Sequence, residues 1–189
     1  WHTGNLYCTW PDQCARAQLH PPPELNNQVL GIDAMAQVLD EKFVREALAA
    51  IEREKLPFRT FLIDCGWQVQ WGQWEVDRRK FPDFRKLIDD IHAAGLKAMA
   101  WWAWPEIADG AQVDPAYLIA GGKRNRHGRR MWDYSHPRTQ REYLEPLFHR
   151  LMSADPGGYD LDGLKTDFTA DKVHADMPVH DPAWYCEEN

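Results

Sequence analysis

An α/β fold of parallel βαβ units is what this sequence predicts, and three observations predict it. Apolar residues recur at helical spacing in three separate segments. Each segment is followed by a short β-branched or apolar run, and each run ends in a carboxylate or a tryptophan. Strands alternating with helices of this length form a parallel sheet covered by helices.

The first strand is Leu6-Tyr7-Cys8-Thr9-Trp10. A helix follows Asp40, a suitable N-cap, and Phe43, Val44, Ala47, Leu48 and Ile51 mark its buried face until Leu56-Pro57 stops it. It feeds a second strand, Thr60-Phe61-Leu62-Ile63, ending at Asp64-Cys65-Gly66-Trp67. The unit then repeats. Phe84, Leu87, Ile88 and Ile91 define a helix ended by Gly95, and residues 96–102 form a strand that ends near Trp104-Pro105-Glu106. A third helix begins near Pro137 and carries Tyr143, Leu144, Leu147, Phe148 and Leu151, with Pro146 expected to kink it; its strand is residues 162–167. In a (β/α)8 TIM barrel the active site is built from such strand tips, and a whole barrel takes about 250 residues. The chain has 189. About the first four βα units are therefore expected, with residues 1–189 forming the N-terminal half of a barrel. Its two open sheet edges would pair with the remainder of its own barrel and would leave the piece poorly stable alone.

With 44% apolar and 27% charged residues the chain reads as an ordinary soluble domain. No apolar run nears the roughly 20 residues a bilayer requires, and Trp1-His2-Thr3-Gly4 is no secretory signal. The chain does not begin with Met, so its compartment is left open. A net charge of −7 argues against nucleic acid or an anionic membrane as partner. Cys8, Cys14, Cys65 and Cys186 show neither a CxxC pair nor zinc spacing and read as isolated thiols; a Cys8–Cys14 bridge is not implied. Of the ten tryptophans, Trp67, Trp71, Trp74, Trp101, Trp102 and Trp104 gather around two strand ends. They serve either as core or as stacking surfaces for sugar rings, whose C–H faces pack on indole.

The run Leu161-Asp162-Gly163-Leu164-Lys165-Thr166-Asp167-Phe168 reads as a buried strand delivering one carboxylate to its tip. Lys165, two residues earlier on the same face, holds Asp167 ionised if their heads approach. Read locally, Asp167 fits a helix cap through Phe168 and Thr169 better than it fits a reactive group, since caps are common and catalysts few. Asp64 ends its strand in the same layer, either to accept hydroxyl protons or to brace the Gly66-Trp67 turn.

Several segments resemble, in order, the retaining α-glycosidases of glycoside hydrolase clan D, principally families 31 and 36. They are Phe61-Leu62-Ile63-Asp64-Cys65-Gly66-Trp67-Gln68, then Gly72-Gln73-Trp74-Glu75-Val76-Asp77 with Phe81-Pro82-Asp83, then residues 101–106, then residues 162–168. Thr9-Trp10-Pro11-Asp12-Gln13-Cys14 is also similar. The resemblance implies a TIM-barrel catalytic domain that hydrolyses terminal α-glucosides, α-galactosides or related bonds by double displacement, with Asp167 as nucleophile. It further implies that Asp64, Trp67, Trp101, Glu106 and Lys165 bind an oligosaccharide or glycoside, without cofactor or metal. Each has a plainer alternative: a turn brace for Asp64, packing for the tryptophans, a solvated loop carboxylate for Glu106 and an ion-pair partner for Lys165. The acid/base carboxyl that retention needs comes from a later strand in the clan, and no position here matches it. A carbohydrate-binding or scaffolding module without catalysis is the alternative reading of the whole.

Three signals are set aside. The stretch Gly121-Gly122-Lys123-Arg124-Asn125-Arg126-His127-Gly128-Arg129-Arg130 lacks phosphate-loop spacing and reads as a solvated hairpin or turn in a long βα loop. His174-Ala175-Asp176 with His180-Asp181 reads as loop surface, and His92 as a helix-face residue.

Overall fold

The structure, a computed structural model, describes residues 4–19, 32–103, 106–124, 128–167 and 178–182. In chain order its elements are β1 (Asn5–Cys8), α1 (Thr9–Leu19), α2 (Ile32–Gln37), α3 (Glu41–Arg53), β2 (Phe58–Ile63), β3 (Gln68–Gln70), β4 (Gln73–Val76) and α4 (Phe84–Ala93). There follow β5 (Lys97–Ala103), β6 (Glu106–Ile107), β7 (Arg130–Met131), α5 (Pro137–Thr139), α6 (Glu145–Met152) and β8 (Gly163–Asp167). Strands β1, β2, β5 and β8 lie side by side in chain order, all parallel, as successive strands of a (β/α)8 barrel do.

The register decides which residues face the site. Cys8 pairs with Leu62, Ile63 with Ala100, and Trp101 with Lys165. Neighbours in register share a face and faces alternate along a strand. Cys8, Leu62, Asp64, Met99, Trp101, Lys165 and Asp167 therefore fall on one face, and Phe61, Ile63, Ala98, Ala100 and Trp102 on the other. That second face carries the main core. Against it α3 buries Phe43, Val44, Leu48 and Ile51, α4 buries Phe84, Leu87, Ile88 and Ile91, and α6 buries Leu147 and Leu151. Each such side chain contributes about 1.5–3 kcal/mol.

Local chemistry sets the ends. Asp40 accepts the Phe43 N–H at 2.7 Å and Asp83 the Lys86 N–H at 3.0 Å, each capping its helix. Helix α3 closes before Pro57: Lys55 turns left-handed (φ 51°) and the Leu56 N–H reaches Ile51 O at 3.0 Å. β1 stops at Cys8, shorter than expected. Thr9 and Trp10 instead open α1, where Pro11 lacks only an amide that a first helical turn leaves unpaired. Pro146 does not simply kink its helix. A π-turn over Gln140–Leu144 joins α5 to α6, with the Glu145 N–H bonded to Gln140 O, which relieves the clash between a proline ring and the carbonyl four residues back. The tip expected at Trp104-Pro105, and the cap through Phe168 and Thr169, lie outside the described residues.

Two hairpins stand in the loops at the strand ends. In β3–β4 the two-residue turn is Trp71-Gly72, with Gly72 at φ 79° and room for no side chain, since a Cβ there would lie 2.8 Å from Glu106 O. β6 and β7 bracket the basic stretch. There Arg124 bonds Asp109 at 2.6 Å, and Arg130 donates to the carbonyls of Ala108, Asp109 and Ala111 at 3.0 to 3.2 Å. No helix among the described residues is long and apolar enough to cross a membrane.

Candidate functional site

The turn after β2 is pinned from three sides. The Asp64 backbone N–H donates to Thr9 Oγ1 at 2.8 Å, the Thr9 hydroxyl donates to Gln13 Oε1, and Gln13 Nε2 donates to Cys65 O. Gly66 sits at φ 123° against α2, where a Cβ would lie 2.5 Å from Ala36 O. Lys80 donates to the carbonyls of Ala36 and Gly66, and burial pushes its amine down to about 8. Asp64 thus leaves the strand in a fixed direction, its side chain only 3% exposed.

A carboxylate that deep must have donors on both oxygens. Oδ1 accepts the Cys65 N–H at 2.8 Å; Oδ2 accepts Lys165 Nζ at 2.8 Å and the Cys8 thiol at 3.3 Å. Lys165 also lies 3.6 Å from Asp167 Oδ2, so the two β8 side chains do approach, but its hydrogen bond goes to Asp64. Burial pulls the Lys165 ammonium down. The hydrogen bond to Asp64 and the surrounding negative charges more than offset this and hold it above the ordinary lysine value. Asp167 is the most open of the three charged groups, 39% exposed against 35% for Lys165. Its Oδ2 accepts the Trp101 indole N–H at 3.0 Å.

These groups line one cavity of about 150 Å³, walled by Trp10, Trp71 and Trp101 and floored by Asp64, Cys65, Lys165 and Asp167. Trp71 meets Trp101 edge-on, with ring centroids 5.0 Å apart. A larger cleft of about 480 Å³ shares Cys65 and Trp71, but Asp77 and Arg79 in it are bonded to each other and Lys80 to backbone. A charged, hydrogen-bonding floor under indole walls is suited to a polyhydroxylated ring.

Four of the six residues singled out in the sequence come together here: Asp64, Trp101, Lys165 and Asp167. Trp67 does not line the cavity. It is fully buried, stacked on Phe84 at 5.9 Å, and its Nε1 donates to Trp101 O at 2.8 Å, so it braces the β5 tip from behind. Glu106 lies in β6, paired with Met131, with Oε2 3.9 Å from Arg129, and is not among the lining residues. Trp102 packs on the helix side against Tyr134 and Phe148. Trp71, one of the six clustered tryptophans, takes the stacking-surface alternative and lines the cavity, at the tip of a two-residue hairpin. Sequence reasoning missed Cys8, whose thiol donates to Asp64, as a partner of the site.

His92 sits on α4 as expected, with Nε2 2.9 Å from Asp162 Oδ2. His92, Asp89 and Asp160 bring donor atoms within 4.8 Å of one another, but Arg85 already pairs with Asp89 at 2.8 Å and lies 3.5 Å from Asp160. The cluster reads as an ion-pair network at the opposite end of the strands. Of the loop histidines, His180 hydrogen-bonds Asp133 through its backbone N–H at 2.9 Å, and His174 lies outside the described residues.

The fold and the placement of this cavity at parallel strand tips define part of a TIM-barrel domain. The sequence matches the glycosyl hydrolases family 31 TIM-barrel domain over residues 22–187, and the chain belongs to that family. It is 28% identical over 142 residues to the α-xylosidase XylQ of Lactiplantibacillus pentosus, covering 68% of this chain and 18% of XylQ. The chain thus spans about a fifth of the length of that relative. Among solved structures, the cycloalternan-degrading enzyme from Trueperella pyogenes superposes with a TM-score of 0.59 at 17% identity, over 76% of this chain and 25% of that one. The family 31 dextranase of Flavobacterium johnsoniae, complexed with glucose, gives 0.56 at 17% identity over 75% and 19%. At such identity the likeness speaks to the fold.

Proposed function

We propose that these residues form the first half of the catalytic barrel of a glycoside hydrolase that cleaves terminal α-glycosidic bonds with retention, Asp167 being the nucleophile. The observation that carries this reading is Asp167 at the β8 tip. Its carboxylate is the open one of the site, oriented by Trp101 and Lys165, in a cavity walled by three indoles. Asp64 and Lys165, already paired, supply an acceptor and a donor for ring hydroxyls. Relatives named as a xylosidase, a dextranase and galactosidases support a terminal α-glucoside, α-galactoside or α-xyloside as substrate.

In this mechanism an Asp167 oxygen attacks the anomeric carbon as the bond to the leaving oxygen breaks. That oxygen takes a proton from an acid/base carboxyl on the remainder of the barrel, leaving a covalent glycosyl-enzyme. Water, deprotonated by the same carboxylate, then attacks the anomeric carbon and frees Asp167, so two inversions give net retention. No step requires a cofactor.

The test is turnover of aryl α-glycosides by the full-length protein and its Asp167→Asn variant. The expected loss is on the order of 10³-fold or more. Undiminished turnover in the variant overturns the assignment.

A further inference from the structure

We infer that Cys8 is a positioning residue for the reaction: its thiol donates to Asp64 Oδ2 and, with Lys165, fixes the direction in which the Asp64 carboxylate faces the ligand. The inference rests on the function proposed above and adds to it a residue that does not itself line the cavity.

The register puts Cys8 there. It is the last residue of β1, paired with Leu62, and so lies on the same face as Asp64 two residues further along β2. Its sulfur is 3.3 Å from Asp64 Oδ2, the oxygen that also accepts Lys165. Asp64 Oδ1 is taken by the next backbone N–H. The carboxylate is therefore held by three donors, of which the thiol and the ammonium are its side-chain partners. The ammonium is shared, being 3.6 Å from Asp167. A second donor on Asp64 matters because it holds that carboxylate still while Lys165 divides itself between two acids and, in the proposed complex, a sugar hydroxyl.

The thiol remains a donor across the neutral range. Burial, opposed by the Trp10 backbone N–H and reinforced by the charge and hydrogen bond of Asp64, pushes it up to about 11. The plainer role for a cysteine is that of a small core hydrophobe, but Cys8 stands outside the apolar core that holds its neighbours Tyr7 and Trp10.

Two measurements on the full-length protein test this. In the first, Cys8→Ala and Cys8→Ser are compared by kcat/KM and its pH profile on an aryl α-glycoside. Alanine is expected to cost about tenfold, the scale of one hydrogen bond to a charged group, and serine, which restores a donor, to recover most of it. Equal activity of the alanine variant and wild type, or a serine variant no better than alanine, overturns the inference. The second does not depend on activity. The rate of Cys8 alkylation by iodoacetamide, mapped by mass spectrometry between about pH 7 and pH 10, is expected to rise several-fold in Asp64→Asn, because the amide carries no negative charge to disfavour the thiolate. An unchanged rate overturns the pairing. Asp167→Asn reports on the function alone and the alkylation on the Cys8–Asp64 pair alone, so either can fail without the other.

Discussion

Lys165 links two carboxylates of different character, one buried and fully bonded, the other half-open at the strand tip. On the proposed function, that division assigns ligand binding to Asp64 and reaction to Asp167. Trp101 completes it from the neighbouring strand through a donor that the sequence does not announce, since indole N–H and carboxylate are separated by 66 positions. Trp101→Phe keeps most of the ring packing and removes the donor. The expected result is a loss in kcat of about tenfold to a hundredfold with cooperative unfolding retained, measured by steady-state kinetics beside a thermal melt. Asp64, Trp101, Lys165 and Asp167 were legible because they fall on or just past strands, where a period of two fixes the face. Trp67 and Glu106 lie beyond the ends of their strands, where that rule lapses. One turned into the core and the other into a hairpin. Trp71 was legible only as one of six clustered tryptophans, and Cys8 was not legible as a site neighbour because only the tertiary fold brings it to Asp64.

Helices α3 and α4, the α5–α6 segment and the four parallel strands were readable from spacing and caps, while α1 and α2 were not; nor were the two hairpins, being two to four residues a strand and specified by turn geometry. Two predictions belong to this scale. Lys55 ends α3 in the left-handed region, where a Cβ is strained, so Lys55→Gly is expected to raise stability by up to about 1 kcal/mol in urea melts. Lys80 clamps α2 to the turn after Asp64, and its folded value of about 8 lies below the ordinary 10.5. The folded state then binds fewer protons than the unfolded between those values. This group's contribution to stability is therefore complete only above the unfolded value and is lost as pH falls toward about 8. The stability of wild type relative to Lys80→Met is expected to rise between about pH 8 and pH 10, read from melts at both.

At the scale of the molecule, β1 and β8 are the two edges of the described sheet, and Leu6 on β1 is 44% exposed. Parallel edges left uncovered pair with other chains. Residues 1–189 expressed alone are expected to self-associate in size-exclusion chromatography; a monodisperse, cooperatively melting monomer would show that the edges are tolerated. On the function proposed above, those edges pair with the rest of the barrel, which supplies the second carboxyl of a retaining site. The central claim is that Asp167 bonds to the sugar, and trapping tests it most directly: incubation of the full-length protein with a slowly turned-over fluorinated α-glycosyl fluoride, followed by peptide mass spectrometry. One glycosyl unit is expected on the peptide carrying Asp167 and none in Asp167→Asn. Inactivation with the adduct on another carboxylate, or turnover by retention with no adduct at Asp167, would contradict it.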